Sequence, residues 1–401
     1  MSRFRIGFLP LVDAVLPIVA HEYGLAAKEG VSITLIRDPS WATVRDRLIY
    51  GQTDASHLLA PLAIATSMGL DRPPVALAAP FMLGLNGNTV TLSNDIAAQI
   101  GLDVIGDVTR TGRALADLAR ARASQGARLR LAVVHRYSSH NYILRYWLAA
   151  SGCDPDHDVE IVVVPPPFIA ESLAMGEIDG SCVGEPWNSV AVAGGHGVIV
   201  AATSQIWNRG VEKLLAFRRE TLDQRRDEVE ALIRALHEAG KIVSDPAQRE
   251  DVARLLARAD YVGQPVELIL RALSNEIMLG QGHNATRIRD FLVLHREAAN
   301  FPWRSQAMWL YSQMVRWSHG ALDEQGFDEA AAVFRPDVYR SALAGTGAIL
   351  PGASAKVEGA IAQPLAVGSH SGRLIMGPDR FFDGGSFDPD RALDYVRSQA
   401  K

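Results

Sequence analysis

The sequence predicts an α/β protein of two lobes that share one cleft. Three observations predict it: a strand–loop–helix–strand unit over residues 4–37, a second such unit over 129–164, and a near-identical helix–turn–strand connection after each. The first unit runs FRIGFLP, DAVLPIVAHEYGLAAKEG and VSITLI, and the second runs LRLAVVH, SSHNYILRYWLAASG and VEIVVV. Repetition on this scale marks a duplicated structural unit. The connections are WATVRDRLIYGQTDAS and FIAESLAMGEIDGS, with aligned turns Gly51-Gln52-Thr53-Asp54 and Gly176-Glu177-Ile178-Asp179. A glycine just past a helix end takes the left-handed conformation that stops the helix.

Alternating strands and helices imply mainly parallel sheets with right-handed crossovers, so the two halves give two α/β lobes. Ligands of open α/β sheets sit beyond the strand C-termini, which places them between the lobes. Short strand-like stretches near Asn88–Ser93 and Val198–Thr203 are the expected crossings, a two-strand hinge. From about Glu220 the pattern turns helical: RDEVEALIRALHEAGKIV is amphipathic, and DVARLLARA, VELILRALSNEI and WRSQAMWLYSQMVRW follow. This assigns residues 1–90 and 200–345 to the first lobe with its C-terminal helices and 91–199 to the second. Residues 346–401 are an irregular tail wrapping the lobes and ending in a short helix.

Composition narrows the function. Forty basic against 45 acidic residues give a formal charge of −5, no global reason to bind nucleic acid. Two cysteines, Cys153 and Cys182, lack metal-ligand spacing and form no disulfide framework. No run approaches the ~18 apolar residues of a membrane span. Arg3 and Arg5 before an apolar stretch resemble a leader, but Asp13 interrupts it, and cleavage would remove the strand Phe4–Leu9. The expectation is a cytoplasmic protein. CxxC, HExxH and GxSxG signatures are absent, and no convincing pair of carboxylates stands out. No catalytic residue, metal or cofactor is therefore expected, and the chain reads as a binding protein rather than an enzyme.

Several segments carry a family resemblance: GFLPLVDAVLPIVAHEYGL, SWATVRDRLIYG, RYWLAASGCDP, GEIDGSCVGEPWN, IWNRGVEKLLAF, FPWRSQAMWLYSQMVRW and FFDGGSFDPD. Together they resemble the nitrate/bicarbonate-binding branch of ABC-transporter solute-binding proteins. They look still more like its cytoplasmic relative, the nitrate/nitrite sensor that works with an RNA-binding antiterminator. The resemblance implies a periplasmic-binding-protein type II-like fold. It also implies nitrate or nitrite as ligand and a complex with the antiterminator that ligand dissolves. The alternative is the substrate-binding component of a nitrate-type ABC transporter.

Nitrate is a flat monoanion with acceptor oxygens only, so its site must supply donors and positive potential and keep carboxylates away. Helix N-termini supply both, and the two repeat helices begin near Asp13 and Ser139-His140. The resemblance places ligand contacts on Trp41, Asn88, His140, Val183, Gly184 and Lys213. Trp41 follows Ser40, a helix N-cap, and its indole N–H can donate while the ring walls the site. His140 must hold a proton on its donating nitrogen. Val183 and Gly184 offer backbone N–H groups, and Lys213 the counter-charge. Bicarbonate carries an O–H and would favour a carboxylate where this chain has Lys213. Asn88, in Asn86-Gly87-Asn88-Thr89, replaces the family's usual glutamine with a side chain one methylene shorter. Glu185 is expected to be structural, because a carboxylate against nitrate repels it.

Overall fold

The computed structural model describes residues 2–101, 106–370 and 372–399. Its first eleven strands, in chain order, are β1 (Ser2–Phe8), β2 (Val31–Arg37), β3 (Ala55–Leu59), β4 (Leu77–Met82), β5 (Leu85–Asn86), β6 (Asn88–Leu92), β7 (Leu129–Val133), β8 (Val159–Val163), β9 (Gly180–Gly184), β10 (Val198–Ala202) and β11 (Lys213–Arg218). They form two five-stranded sheets, in the orders β2-β1-β3-β11-β4 and β10-β6-β9-β7-β8. In the first, β1 pairs parallel with β2 and β3, while β11 runs antiparallel to β3 and β4. In the second, β7 pairs parallel with β8 and β9, while β6 runs antiparallel to β9 and β10. Each sheet thus has one reversed strand, and that strand adjoins a crossing between the lobes.

The duplication in the sequence is a duplication of hydrogen bonds. The Asp54 carboxylate accepts the Arg5 backbone N–H at 2.8 Å, and Asp179 accepts that of Arg130 at 2.7 Å. The two guanidinium groups then donate to the carbonyls of Gly51 (3.0 Å) and Gly176 (2.5 Å). Those glycines have φ of 72° and 67°, the left-handed region that a turn after a helix requires. An arginine near the start of one strand therefore locks the turn leading into its neighbour, once in each lobe.

Residues 88–93 and 198–203, expected as the crossings, largely form β6 and β10, which pair with each other inside the second sheet. The chain passes between the sheets on either side of them. Leu85 bridges Val211 there, and the backbone N–H of Asn86 donates to Gly210 at 2.9 Å. The physical reason is that two adjacent extended segments satisfy their backbone groups by pairing, so they join a sheet rather than span a gap.

The helix Arg226–Ser244 buries its apolar stripe, including Val229, Leu232, Ile233 and Leu236, in the core beneath the first sheet, against the helix Val15–Glu22. The tail crosses to the second lobe. Phe381 stacks on Trp207 (centroids 4.9 Å apart) and on Trp309 (5.5 Å), and the Tyr146 hydroxyl donates to Asp383 at 2.8 Å. The helix Ala392–Ser398 closes the chain's described part.

Candidate anion-binding site

The site is built where helix starts from both lobes meet the first residue of β11. Ser40 caps the helix Trp41–Ile49 by accepting the Thr43 N–H at 3.2 Å. Ser138 caps the helix Ser139–Ala150 through Asn141 N–H at 3.1 Å. Trp41 and His140 therefore occupy the first turns of helices from different lobes, where unpaired N–H groups and the helix dipole favour negative charge. Both side chains are buried, at 1% exposure each.

Lys213 links them. It has no exposed surface, and its Nζ lies 2.8 Å from Asp13, 2.5 Å from Glu212 and 3.4 Å from Oδ1 of Asn88. The same nitrogen is 5.8 Å from the centre of the Trp41 ring, a cation–π contact. Nε2 of His140 is 3.9 Å from Glu212, and Nε2 of His57 is 2.9 Å from Asp13. The Trp41 and His57 rings lie edge to face at 5.2 Å.

Of the six residues expected from the sequence, Trp41, Asn88, His140, Gly184 and Lys213 thus converge on one centre. Gly184 opposes Asn88 across the β6–β9 ladder, and a Cβ on it would come within 3.2 Å of Asn88 Oδ1 and 3.6 Å of Lys213 Nζ. Its lack of a side chain lets Asn88 and Lys213 come this close. Val183 is buried in β9 opposite Thr89, one residue further along the ladder.

The expectation that carboxylates stay away from the site is corrected. Asp13 and Glu212 both contact Lys213 directly, because a lysine this deeply buried keeps its charge only beside opposite charges. Burial works against the Lys213 ammonium, yet Asp13 and Glu212 overcome it and raise its affinity for the proton. Burial likewise opposes ionisation of Asp13, but Lys213 and His57 hold its carboxyl far below the usual range. At Glu212 burial wins over Lys213 and the carboxyl is raised. Burial, followed by Lys213, keeps His140 neutral by lowering it well below the usual histidine range. A neutral imidazole has one donor and one acceptor.

What the site offers a ligand is a set of buried polar atoms, most of them donors, without hydrogen-bond partners among the described residues. Nε1 of Trp41, Nδ2 of Asn88 and both ring nitrogens of His140 are buried without a hydrogen-bond partner. Native proteins pair the large majority of buried polar atoms, so several orphans around one lysine point to an acceptor that belongs there. An oxyanion with acceptor oxygens on several sides fits this chemistry.

The sequence reading missed Asp13, His57 and Glu212. Asp13 was legible only as a helix start. His57 left a signal, a single imidazole within the otherwise apolar or small β3 segment ASHLL. Glu212 adjoins Lys213, and strand alternation would turn the two apart. Glu212 in fact precedes the first residue of β11, so alternation does not govern it. Glu185 lies beside the site as the first residue after β9. Its carboxyl is buried, and burial pushes its pKa up to about 7 against weaker opposing interactions with Ser189 and Asn188. Trp187 follows, its indole donating across the lobes to the Pro10 carbonyl at 3.0 Å.

Comparison with known proteins places these features in context. The profile of the NMT1-like family matches residues 1–257. The nitrate/nitrite binding protein NrtA of Synechococcus elongatus is 30% identical over 98% of this chain and 84% of its own length. The nitrate import ATP-binding protein NrtC of Synechocystis is 30% identical over 98% of this chain, which spans only 54% of that relative's length. The crystal structure of the periplasmic nitrate-binding protein NrtA from Synechocystis superposes with a TM-score of 0.88 at 25% identity, covering 100% of this chain and 99% of that one. The two-sheet architecture is thus the periplasmic-binding-protein-like α/β fold.

Proposed function

The chain belongs to the NMT1-like family, and from that premise we propose that it binds nitrate or nitrite as the substrate-binding component of a nitrate-type ABC transporter. The observation that carries this reading is the ring of orphaned donors, Trp41, Asn88 and His140, around the buried ammonium of Lys213. Trigonal oxyanions of one negative charge match it in having acceptors on every edge. Likeness to proteins named for nitrate and nitrite binding supports the same ligand class.

The resemblance also allowed a cytoplasmic sensor that holds an antiterminator until ligand arrives. Both roles use the same pocket. The names of the relatives, which speak of import and of a periplasmic protein, support the transport role over the sensor. Fractionation of tagged protein separates them. Periplasmic recovery fits the transporter component. Cytoplasmic recovery, with an antiterminator released on adding nitrate, restores the sensor. A second ligand, bicarbonate, is favoured by one specific observation: the carboxylates of Asp13 and Glu212 could accept its O–H.

The test is isothermal titration calorimetry with nitrate, nitrite and bicarbonate in parallel. Saturable binding of nitrate or nitrite is expected, with Lys213→Ala weakening it at least tenfold, because that change removes the positive charge that contacts both Asp13 and Glu212. Binding of bicarbonate alone would move the assignment to the second ligand. Heats of dilution for all three would overturn the anion-site reading.

A further inference from the structure

We propose that Glu212 takes up a proton when an acceptor-only monoanion enters the site, so that anion binding and protonation of this carboxylate are a single event. The inference rests on reading the site as a nitrate or nitrite pocket and specifies how its charge is balanced. Lys213 contributes one positive charge, and Asp13 and Glu212 stand 2.8 and 2.5 Å from it. With both carboxylates ionised, Lys213, Asp13 and Glu212 by themselves sum to −1 before any ligand arrives. A nitrate would then bring a second uncompensated negative charge into a space where Lys213 and His140 are almost wholly shielded from solvent.

Three arrangements could relieve this, and the geometry selects one. Asp13 is the poorer proton acceptor, because it faces both Lys213 and His57, and these hold it ionised. His140 is faced by the Lys213 charge and fully buried, which opposes a second positive charge there. Glu212 is faced by the adjacent Lys213 at the start of β11, by Asp13 from the start of the first repeat helix, by His140 from the second, and by the Cys182 thiol of β9. His57 reaches it only through Asp13. Burial already raises this carboxyl above its usual range.

Protonation does more than remove a charge. It turns Glu212 from an acceptor into a donor, beside the unused donors of Trp41, Asn88 and His140. The site then presents a ligand that has acceptors only with one more donor and one less negative charge. Bicarbonate differs, since its own O–H can donate to an ionised Glu212 and no proton need enter. Glu212 would thereby set the specificity between the two kinds of anion, with pH as the selector.

The experiment is calorimetric titration of the full chain with sodium nitrate between pH 6 and 9, at each pH in two buffers of different ionisation enthalpy, for the wild-type protein and E212Q. Linkage of one proton to one anion predicts net uptake approaching one proton at alkaline pH, with Kd rising about tenfold per pH unit there. E212Q, neutral at every pH, is expected to bind nitrate with a flat profile. Nitrate binding by the wild type with no proton uptake and a constant Kd overturns the proposal and leaves the nitrate site standing. An E212Q protein that keeps the alkaline slope assigns the proton to another group and also overturns it. Should E212Q not fold, the buffer-pair proton count on the wild type still decides. Absence of nitrate binding at every pH removes the functional reading itself, and this proposal with it.

Discussion

Among the described residues two lysines are each clamped between two carboxylates, Lys213 fully buried and Lys356 with 12% of its side chain exposed, and they differ in what surrounds them. In the tail, Lys356 contacts Glu358 and Asp379. Asp379 also accepts the Trp207 indole N–H at 2.7 Å, Glu358 accepts the Ser305 hydroxyl at 2.6 Å, and the Glu358 backbone pairs with Phe387 on both sides. Lys213 has the same two-carboxylate clamp, yet Trp41, Asn88 and His140 beside it keep unpaired polar atoms. The first cluster is closed on itself and fastens the tail to Trp207 and the helix Arg304–Arg316. The second is left open. A buried ion pair by itself therefore says little about purpose, because desolvation offsets most of what the pairing gains. The unused donors mark which cluster awaits a partner.

The largest effect that could break this comparison lies in the tail. Lys356→Ala strands two buried carboxylates and is expected to cost about 3–5 kcal/mol in urea denaturation. A loss below about 1 kcal/mol would remove the case for a closed structural cluster. Glu185 is the control, a buried carboxyl with no cation in contact. Its raised pKa of about 7 means the folded state holds this proton more tightly than the unfolded state, whose value is 4.5. Stability from this group is whole below the unfolded value and is lost as pH rises towards 7. Glu185→Gln should therefore change nothing near pH 4 and add about 3 kcal/mol above pH 7. A gain that is the same at both pH values would show that the carboxyl's charge is not the cause.

The sharpest pair of measurements applies one chemical change at both clusters. Trp207→Phe removes a donor that Asp379 uses, and a loss of about 2 kcal/mol is expected. Trp41→Phe removes a donor without a hydrogen-bond partner among the described residues, so stability should hold or rise by about 1 kcal/mol. Nitrate affinity should fall several-fold at the same time. Equal destabilisation by the two changes would mean that the Trp41 indole is as fully engaged as that of Trp207, and the open cluster would not be open.

Much of this architecture was legible in the chain. The repeat was visible because Gly51–Asp54 and Gly176–Asp179 perform the same local task, an αL turn and a carboxylate accepting a nearby strand's N–H. Local chemistry leaves local signatures, and Ser40 and Ser138 as helix caps are further cases. The crossings were harder to read, since extended segments of similar composition look alike whether they span lobes or pair within a sheet, as β6 and β10 do.

By itself the sequence determined the two α/β units and the helices that follow them, because propensity, capping and periodicity act over a few residues, while the expected ligand contacts came from the family resemblance. Only the tertiary structure decided which groups share a charge. Asp13, His57, Glu212 and Lys213 come from three separate stretches of chain, and the burial and mutual contact of Asp13, Glu212 and Lys213 shift how each of these three holds its proton. The same holds for the orphaned donors: whether an indole or amide N–H is used depends on what folds opposite it, and no local pattern records that.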